Sequence, residues 1–583
     1  MGKSNIRLFI PPNTPSRIFH LAWLAFFASF QACTTLPKAD MLLYNGPIYT
    51  AEANSEAEVI VVSKGQIVAV GGQDLLDAYD VSENGKIDLE GNFLMPGFIE
   101  GHGHFSGLGT SLQNLNFLAS RSWEQIVDAV KEKTKVTPKG QWIIGRGWHQ
   151  EKWDSLPFLH SGGYPTHQTL SDISPDHPVL LFHASGHALF ANKKAMDLSR
   201  ISPETPDPQG GAILRDAYKA PIGVFEERAM DQITRTYQDY LSTLNQNQKD
   251  SIWYDAIELA TKECIKKGIT SFQDAGSKFD ELKKYKKMAE EGKLGLRLWA
   301  MARHNSEDLK ATIAEHKAID AGNKFYTCNA IKSEVDGALG AFGAWLLKPY
   351  SDKPHLTGQN TTDIYEVRKI AQIAIDNDMQ FCVHAIGDRA NKVVLDIYEG
   401  MASLYPNKKD RRWRIEHAQH LDTADIPRFR EGKIIASMQG IHCTSDAPFV
   451  EKRLGQERSK YGAYPWRSLL DNQVLIANGT DAPVEDVDPI PSFYASVTRK
   501  RLDDGFTFYS EQSMTRLEAL QSYTIHNAYA AFQDSYKGSI KVGKVADFVV
   551  LTQDLRNCTD EAIPNTKVVM TIIDGKIVYK SKQ

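Results

Sequence analysis

The stretch Met95-Pro96-Gly97-Phe98-Ile99-Glu100-Gly101-His102-Gly103-His104-Phe105 reads as a short apolar strand that follows a Pro-Gly turn and ends in two histidines. Side chains alternate faces along a strand, so residues two apart point the same way. His102 and His104 therefore project together from one strand end, close enough to share a metal ion. A bare His-x-His is common, and two histidines in a polar loop is the plainer alternative. The apolar run and the Pro-Gly before it favour the strand end.

Four residues further along occupy the same kind of position. Lys332 lies in Asn329-Ala330-Ile331-Lys332-Ser333-Glu334-Val335-Asp336-Gly337, and His384 closes Phe381-Cys382-Val383. His417 follows Trp413-Arg414-Ile415-Glu416, and Asp481 follows Val474-Leu475-Ile476-Ala477-Asn478-Gly479-Thr480. Each comes after a short apolar or mixed strand and before a loop of Gly or small residues. Longer charged, amphipathic stretches follow such strands, as after Ile269-Thr270-Ser271-Phe272-Gln273 and Met379-Gln380-Phe381-Cys382-Val383. This βα rhythm predicts an α/β fold, a (β/α)8 TIM-type barrel over residues 97–531, with chemistry at the C-terminal strand ends. Imidazoles, a carboxylate and a modified lysine can together hold one or two divalent ions. Taken singly, each residue has a plainer reading, as a core histidine capped by a carbonyl or a surface aspartate; the ordered set is what points to a metal site. Residues 113–231, rich in Trp, Pro, Gly and His and weakly periodic, predict a large insertion after the first barrel strand or a set of long loops over one barrel end. Short β-type runs recur near both termini, such as Val59-Ile60-Val61-Val62 and Val568-Val569-Met570-Thr571-Ile572-Ile573. They predict a flanking β-sandwich assembled from residues 33–96 and 532–583.

Composition sets the outer limits. The chain has 583 residues, 42% hydrophobic and 24% charged, enough for a large core domain with an accessory unit and incompatible with disorder over most of its length. With 67 basic against 72 acidic residues the net charge is −5, which offers no general field for nucleic acid. No GxxxxGK[ST] loop or GxSxG elbow occurs, which leaves a P-loop or serine-hydrolase reading without support. The six cysteines (33, 264, 328, 382, 443, 558) form no CxxC pair and no disulfide framework.

The N-terminus is an address. Lys3, Arg7 and Arg17 precede any acid, an apolar run spans Ile18 to Phe30, and Phe30-Gln31-Ala32-Cys33 resembles a lipobox. Residues 1–32 are expected to be a signal peptide and Cys33 a lipidated first residue anchoring the chain to a bacterial membrane, in the outer membrane or facing the periplasm. The alternative is a plain secretory signal and a periplasmic or secreted protein.

Taken together the motifs resemble the amidohydrolase superfamily, whose opening motif PG(F/L)(I/V)(D/E)xHxH matches residues 96–104. The closer likeness is to amidohydrolase family 3, the branch that includes N-substituted formamide deformylases. Its cues are Gly145-Arg146-Gly147-Trp148-His149-Gln150 with Trp153, Gly186-His187, Gly223-Val224-Phe225-Glu226-Glu227, Asp336-Gly337-Ala338-Leu339-Gly340, His384-Ala385-Ile386-Gly387-Asp388-Arg389-Ala390, Arg414-Ile415-Glu416-His417-Ala418-Gln419, Ser437-Met438-Gln439 with His442, and Gly479-Thr480-Asp481-Ala482-Pro483. The likeness covers about residues 41–580. It implies that His102 and His104 bind the more buried metal and that Lys332 is carbamylated and bridges two ions. His384 and His417 would bind the second ion, and Asp481 would touch the first and shuttle the proton. A buried lysine of depressed pKa can take up CO₂ to become a two-oxygen ligand. The alternative is an unmodified Lys332 paired with Glu334 or Asp336 and a site for one ion. Zinc suits the ligand set, and so do iron, manganese and nickel. His187, Glu227, His442 and Trp148 are candidate substrate contacts, each with a structural alternative. The expected reaction is hydrolysis of a C–N bond in an amide, N-formyl or cyclic amide small molecule. The rivals are a deaminase or isomerase on the same metal platform, and a non-catalytic binding lipoprotein with a decayed site. Association into a homo-oligomer is left open.

Overall fold

The computed structural model describes residues 36–53, 56–117, 120–150, 153–155, 157–183, 188–209, 211–340 and 342–582. The signal peptide, Cys33 and His187 lie outside the described residues. Among the described residues, no helix is long and apolar enough to cross a membrane.

Eight parallel strands make the barrel: β1 (Phe98–Gly103), β2 (Ile269–Ser277), β3 (Arg297–Ala302), β4 (Tyr326–Glu334), β5 (Gln380–Ala385), β6 (Arg414–His417), β7 (Ile435–Gln439) and β8 (Ile476–Gly479). They are hydrogen-bonded in that order. The alternation expected of strands decides what faces where. Ile331 and Ile415 point out into the main core with the helices, while Ala330, Cys382 and Trp299 fill the barrel interior. The helix Ile364–Asp376 between β4 and β5 shows why the intervening segments are helical. Asp363 accepts the Tyr365 amide at 2.8 Å and fixes its start, and Val367, Ile370, Ala371 and Ala374 recur at three- and four-residue spacing on its buried face.

The seam between β8 and β1 is closed largely by side chains. The Asp481 amide donates to the His102 carbonyl at 2.7 Å. Glu100 accepts from the Thr480 amide at 2.7 Å and its hydroxyl at 3.1 Å, and Asn527 Nδ2 donates to the carbonyls of Ile99 (2.7 Å) and Asn478 (2.8 Å). Burial, the largest influence on Glu100, pushes its carboxyl up to about 8. Glu100 thus works chiefly as a hydrogen-bonding brace. A Cβ on Gly479 would stand 2.3 Å from Glu100 Oε1, so only glycine lets the brace come this close.

Strands from both ends of the chain share sheets. Phe93–Pro96 pairs with Phe548–Leu551, with Met95 opposite Val549, in a six-stranded sheet. A four-stranded sheet contains Met41–Tyr44 and Val59–Ser63, and Leu43, Ile60, Val62, Leu94, Phe548 and Ile572 form one core. Arg297, at the start of β3, ties this unit to the barrel through Asp547 (2.7 Å) and Asp574 (3.2 Å).

The segment after β1 is a folded α/β unit in its own right. Six of its strands, from Leu115–Asn116 to Pro221–Glu227, form one mixed sheet, and His160–Ser161 pairs with Tyr164–Pro165 in a separate hairpin. One core holds Trp123, Ile126, Trp148 and Phe190, and a second holds Trp142, Leu189, Ile213 and Phe225. Strands covered on both faces lack polar alternation, which explains the weak periodicity of its sequence.

Candidate metal centre

The six residues expected to form the site all stand at the C-terminal end of the barrel. His102 is the penultimate residue of β1 and His104 follows it; Lys332 lies two residues before the end of β4. His384 is penultimate in β5, His417 ends β6, and Asp481 lies two residues beyond β8. His417 (φ 72°) and Asp481 (φ 61°) adopt the left-handed region, uncommon away from glycine and a form of strain that collects at functional sites.

The geometry is tight. One ligand atom each from His102, His417 and Asp481 lie within 4.8 Å of one another, and all three residues are buried. Asp481 Oδ1 stands 3.2 Å from His104 Nε2 and 3.5 Å from His102 Nε2. The His417 ring centre is 4.7 Å from that of His102, 4.4 Å from His384 and 6.2 Å from His442, with which it is nearly parallel. His102 Nε2, His384 Nε2, His442 Nε2 and Asp481 Oδ1 are buried without a hydrogen-bond partner. Buried polar atoms are rarely left so, and the Nε2 atoms of His102 and His384 with Asp481 Oδ1, gathered at the His417 ring, are the complement of a cation. The residues present therefore fit a divalent ion.

The electrostatics keep these groups in ligating form. Burial pulls His102 down to about 4 and His384 to about 3, with the Lys332 charge adding to both, and it depresses His417 as well; all three are neutral at neutral pH. Burial alone would raise Asp481, but His104, His102, His417 and His442 outweigh it and hold the carboxyl well below its usual range. Lys332 is fully buried, and burial lowers its amine despite the opposing pull of Glu416 and Asp481. Its Nζ donates to the Ala275 carbonyl at 3.3 Å. Neither expected carboxylate partner reaches it: Glu334 pairs with Arg303, and Asp336 accepts the amides of Trp345, Ile386 and Gly387.

Neighbouring residues hold the candidate ligands in place. Glu416 Oε2 lies 2.5 Å from His102 Nδ1 and is held by Arg414. Burial is the largest influence on Glu416 and would raise it, yet Arg414 and His102 bring it well below the carboxylate range. Gln439 Oε1 lies 2.8 Å from His417 Nδ1. Asp336 braces the loops after β4 and β5, and its Oδ1 stands 3.7 Å from His384 Nε2. The detectable signal was Arg414-x-Glu416, two charges on the inward face of a core strand, which cannot stay unpaired there.

The candidate substrate contacts fall in different places. His442 is buried beside His417 at the site. Trp148 fills the core of the inserted unit, its Nε1 donating to the Leu181 carbonyl at 2.9 Å. Glu227 ends a strand of that unit, paired with Gly211. His420 is only 2% exposed and rests edge-on to Tyr464, with both ring nitrogens unpartnered. Burial takes its imidazole from 6.5 down to about 3, with Arg458 assisting. Between those values the unfolded chain binds a proton that the folded one refuses, so this residue costs stability progressively as pH falls below 6.5. The cost reaches about 2 kcal/mol at pH 5. His420→Leu is expected to remove that part of the acid sensitivity, read as urea midpoints at pH 7 and 5; an unchanged difference between the two contradicts the assignment.

A parallel barrel with imidazoles and a carboxylate at its C-terminal mouth is the architecture of a metal-dependent enzyme. The amidohydrolase family (Amidohydro_3) matches residues 86–579. YtcJ of Bacillus subtilis (strain 168), named as an amidohydrolase, is 31% identical over 546 residues, 92% of this chain and 99% of its own. The N-substituted formamide deformylase of Arthrobacter pascens is 26% identical over 558 residues, 93% of this chain and 98% of its own. An uncharacterized metal-dependent hydrolase from Pyrococcus horikoshii OT3 superposes with a TM-score of 0.69 at 26% identity, covering 89% of this chain and 99% of that one. The chain belongs to the amidohydrolase family, and it is a hydrolase.

Proposed function

We propose that the protein hydrolyses a C–N bond in a small amide, N-formyl or cyclic amide substrate, using one or two divalent ions, with zinc the first candidate. The observation that carries the reading is the cluster of buried atoms without hydrogen-bond partners on His102, His384 and Asp481 at the barrel mouth. A divalent ion held there supplies a Lewis acid and a water of lowered pKa. The other tasks fall to the chain. Asp481, ionised at neutral pH, takes the proton of the attacking water and returns it to the leaving nitrogen. His442 Nε2 stands ready, as the Nε2–H tautomer, to donate to the developing oxyanion. His104, whose Nε2 lies 3.2 Å from Asp481 Oδ1, supports Asp481 as the anion that accepts the proton. Lys332 is buried with a lowered amine pKa and no carboxylate within ion-pair reach among the described residues, which supports a carbamate as its working form. Export and a lipid anchor at Cys33 are proposed on the N-terminal sequence alone.

The test is a panel assay of the zinc-loaded chain. N-formyl amines, primary amides and cyclic ureides are supplied, and formate, ammonia and ring-opened product are measured. Turnover of one class with none in Asp481→Asn supports the reading. Inertness toward all three, with turnover of carboxylic or phosphate esters instead, overturns it.

A further inference from the structure

Two imidazoles at the site are oriented by acceptors of different charge. His102 Nδ1 meets Glu416 Oε2 at 2.5 Å, and His417 Nδ1 meets Gln439 Oε1 at 2.8 Å. An acceptor at Nδ1 places the ring proton there and leaves the Nε2 lone pair free. The His102 geometry accords with that, since Nε2 is buried, makes no hydrogen bond and lies 3.5 Å from Asp481 Oδ1.

The Glu416 carboxylate is fixed as firmly as the ring it orients. It is wholly buried, and Arg414 Nε lies 2.7 Å from its Oε1 while Arg414 Nη2 donates to Oε2 at 3.0 Å. Arg414 also donates to the Gly101 carbonyl at 2.7 Å and Ser437 Oγ at 2.6 Å. The pair thus ties β6 to β1 on one side and β7 on the other, directly beneath the ligands. The charge persists because a guanidinium is always protonated.

We propose that Glu416 is the positioning residue of this site: it fixes the His102 tautomer and, through its buried charge, makes His102 the stronger imidazole donor, whereas neutral Gln439 only orients His417. The proposal rests on the reading that the site holds a divalent ion. An anion behind an imidazole raises its basicity, and such partners are worth about 10- to 100-fold in metal affinity.

Zinc affinity is measured by competition with a chromophoric chelator, alongside thermal unfolding of the apo chain. Glu416→Gln keeps an acceptor and drops the charge, and is expected to weaken zinc binding by about 10- to 100-fold. Gln439→Ala is expected to weaken it less than Glu416→Gln does. Because Glu416→Gln strands the Arg414 charge, Arg414→Met/Glu416→Gln is measured in parallel and is expected to show the same loss. A wild-type chain that takes up no zinc overturns the metal reading, and this proposal with it. Wild-type zinc binding with undiminished affinity in a folded Glu416 variant overturns the Glu416 proposal alone. If neither variant folds, the zinc-loaded wild-type crystal structure decides. Zinc on His102 Nε2 with Glu416 still on Nδ1 supports the proposal; zinc on Nδ1, or away from His102, overturns it.

Discussion

Asp481→Asn is expected to lower kcat/KM by at least about 10³-fold while leaving the thermal midpoint of the apo chain within a few degrees of wild type. The size follows from the role. A carboxylate held ionised among four imidazoles is the group at the mouth able to take a proton from water at neutral pH. The amide of Asn keeps the shape and one acceptor oxygen but cannot take that proton. The fold should tolerate it, because the backbone amide at this position makes the seam bond to the His102 carbonyl. Steady-state kinetics with the substrate class that the panel identifies, beside a melting curve, check it. Activity within tenfold of wild type removes Asp481 as the base.

Lys332→Met separates two roles for a buried lysine. A buried ammonium without a counter-ion is costly, so an apolar side chain of similar length is expected to leave the apo chain at least as stable as wild type. If Lys332 works as a carbamate, the same change removes two ligand oxygens. Bound metal then falls by about one ion per chain and kcat/KM by at least about 10²-fold. Metal content, kinetics and a melting curve are read on the same preparation. A variant with full metal content and full activity shows that Lys332 is structural.

The barrel and the gathering of the candidate ligands at its mouth were legible in the sequence because both are local signals. Strand-end histidines at 102, 104, 384 and 417 each follow a short apolar or mixed strand, and a strand of two-residue period tells which neighbours point together. The supporting residues were harder to read because they act across the barrel. Glu416 meets His102, 314 positions earlier, and Glu100 meets Thr480, 380 positions later. Nothing in the spacing of either pair announces contact. The inserted unit was visible only as weak periodicity, since strands buried on both faces lose the alternation that marks a strand. Trp148 illustrates the result. Its motif suggested a place near substrate, but its indole fills a core between strands of the insertion. His442 carried no strand signal of its own; it lies on the short helix Gly440–Ser445 that follows β7 and enters the site from there.

The most direct test of the central claim is elemental analysis of the chain from Thr34 onward, purified without added metal or chelator, together with its intact mass under mild conditions. Between one and two divalent ions per chain, activity lost on chelation and regained on refilling, and a mass increment of one CO₂ are expected. A chain that contains no metal and takes none up on titration contradicts it.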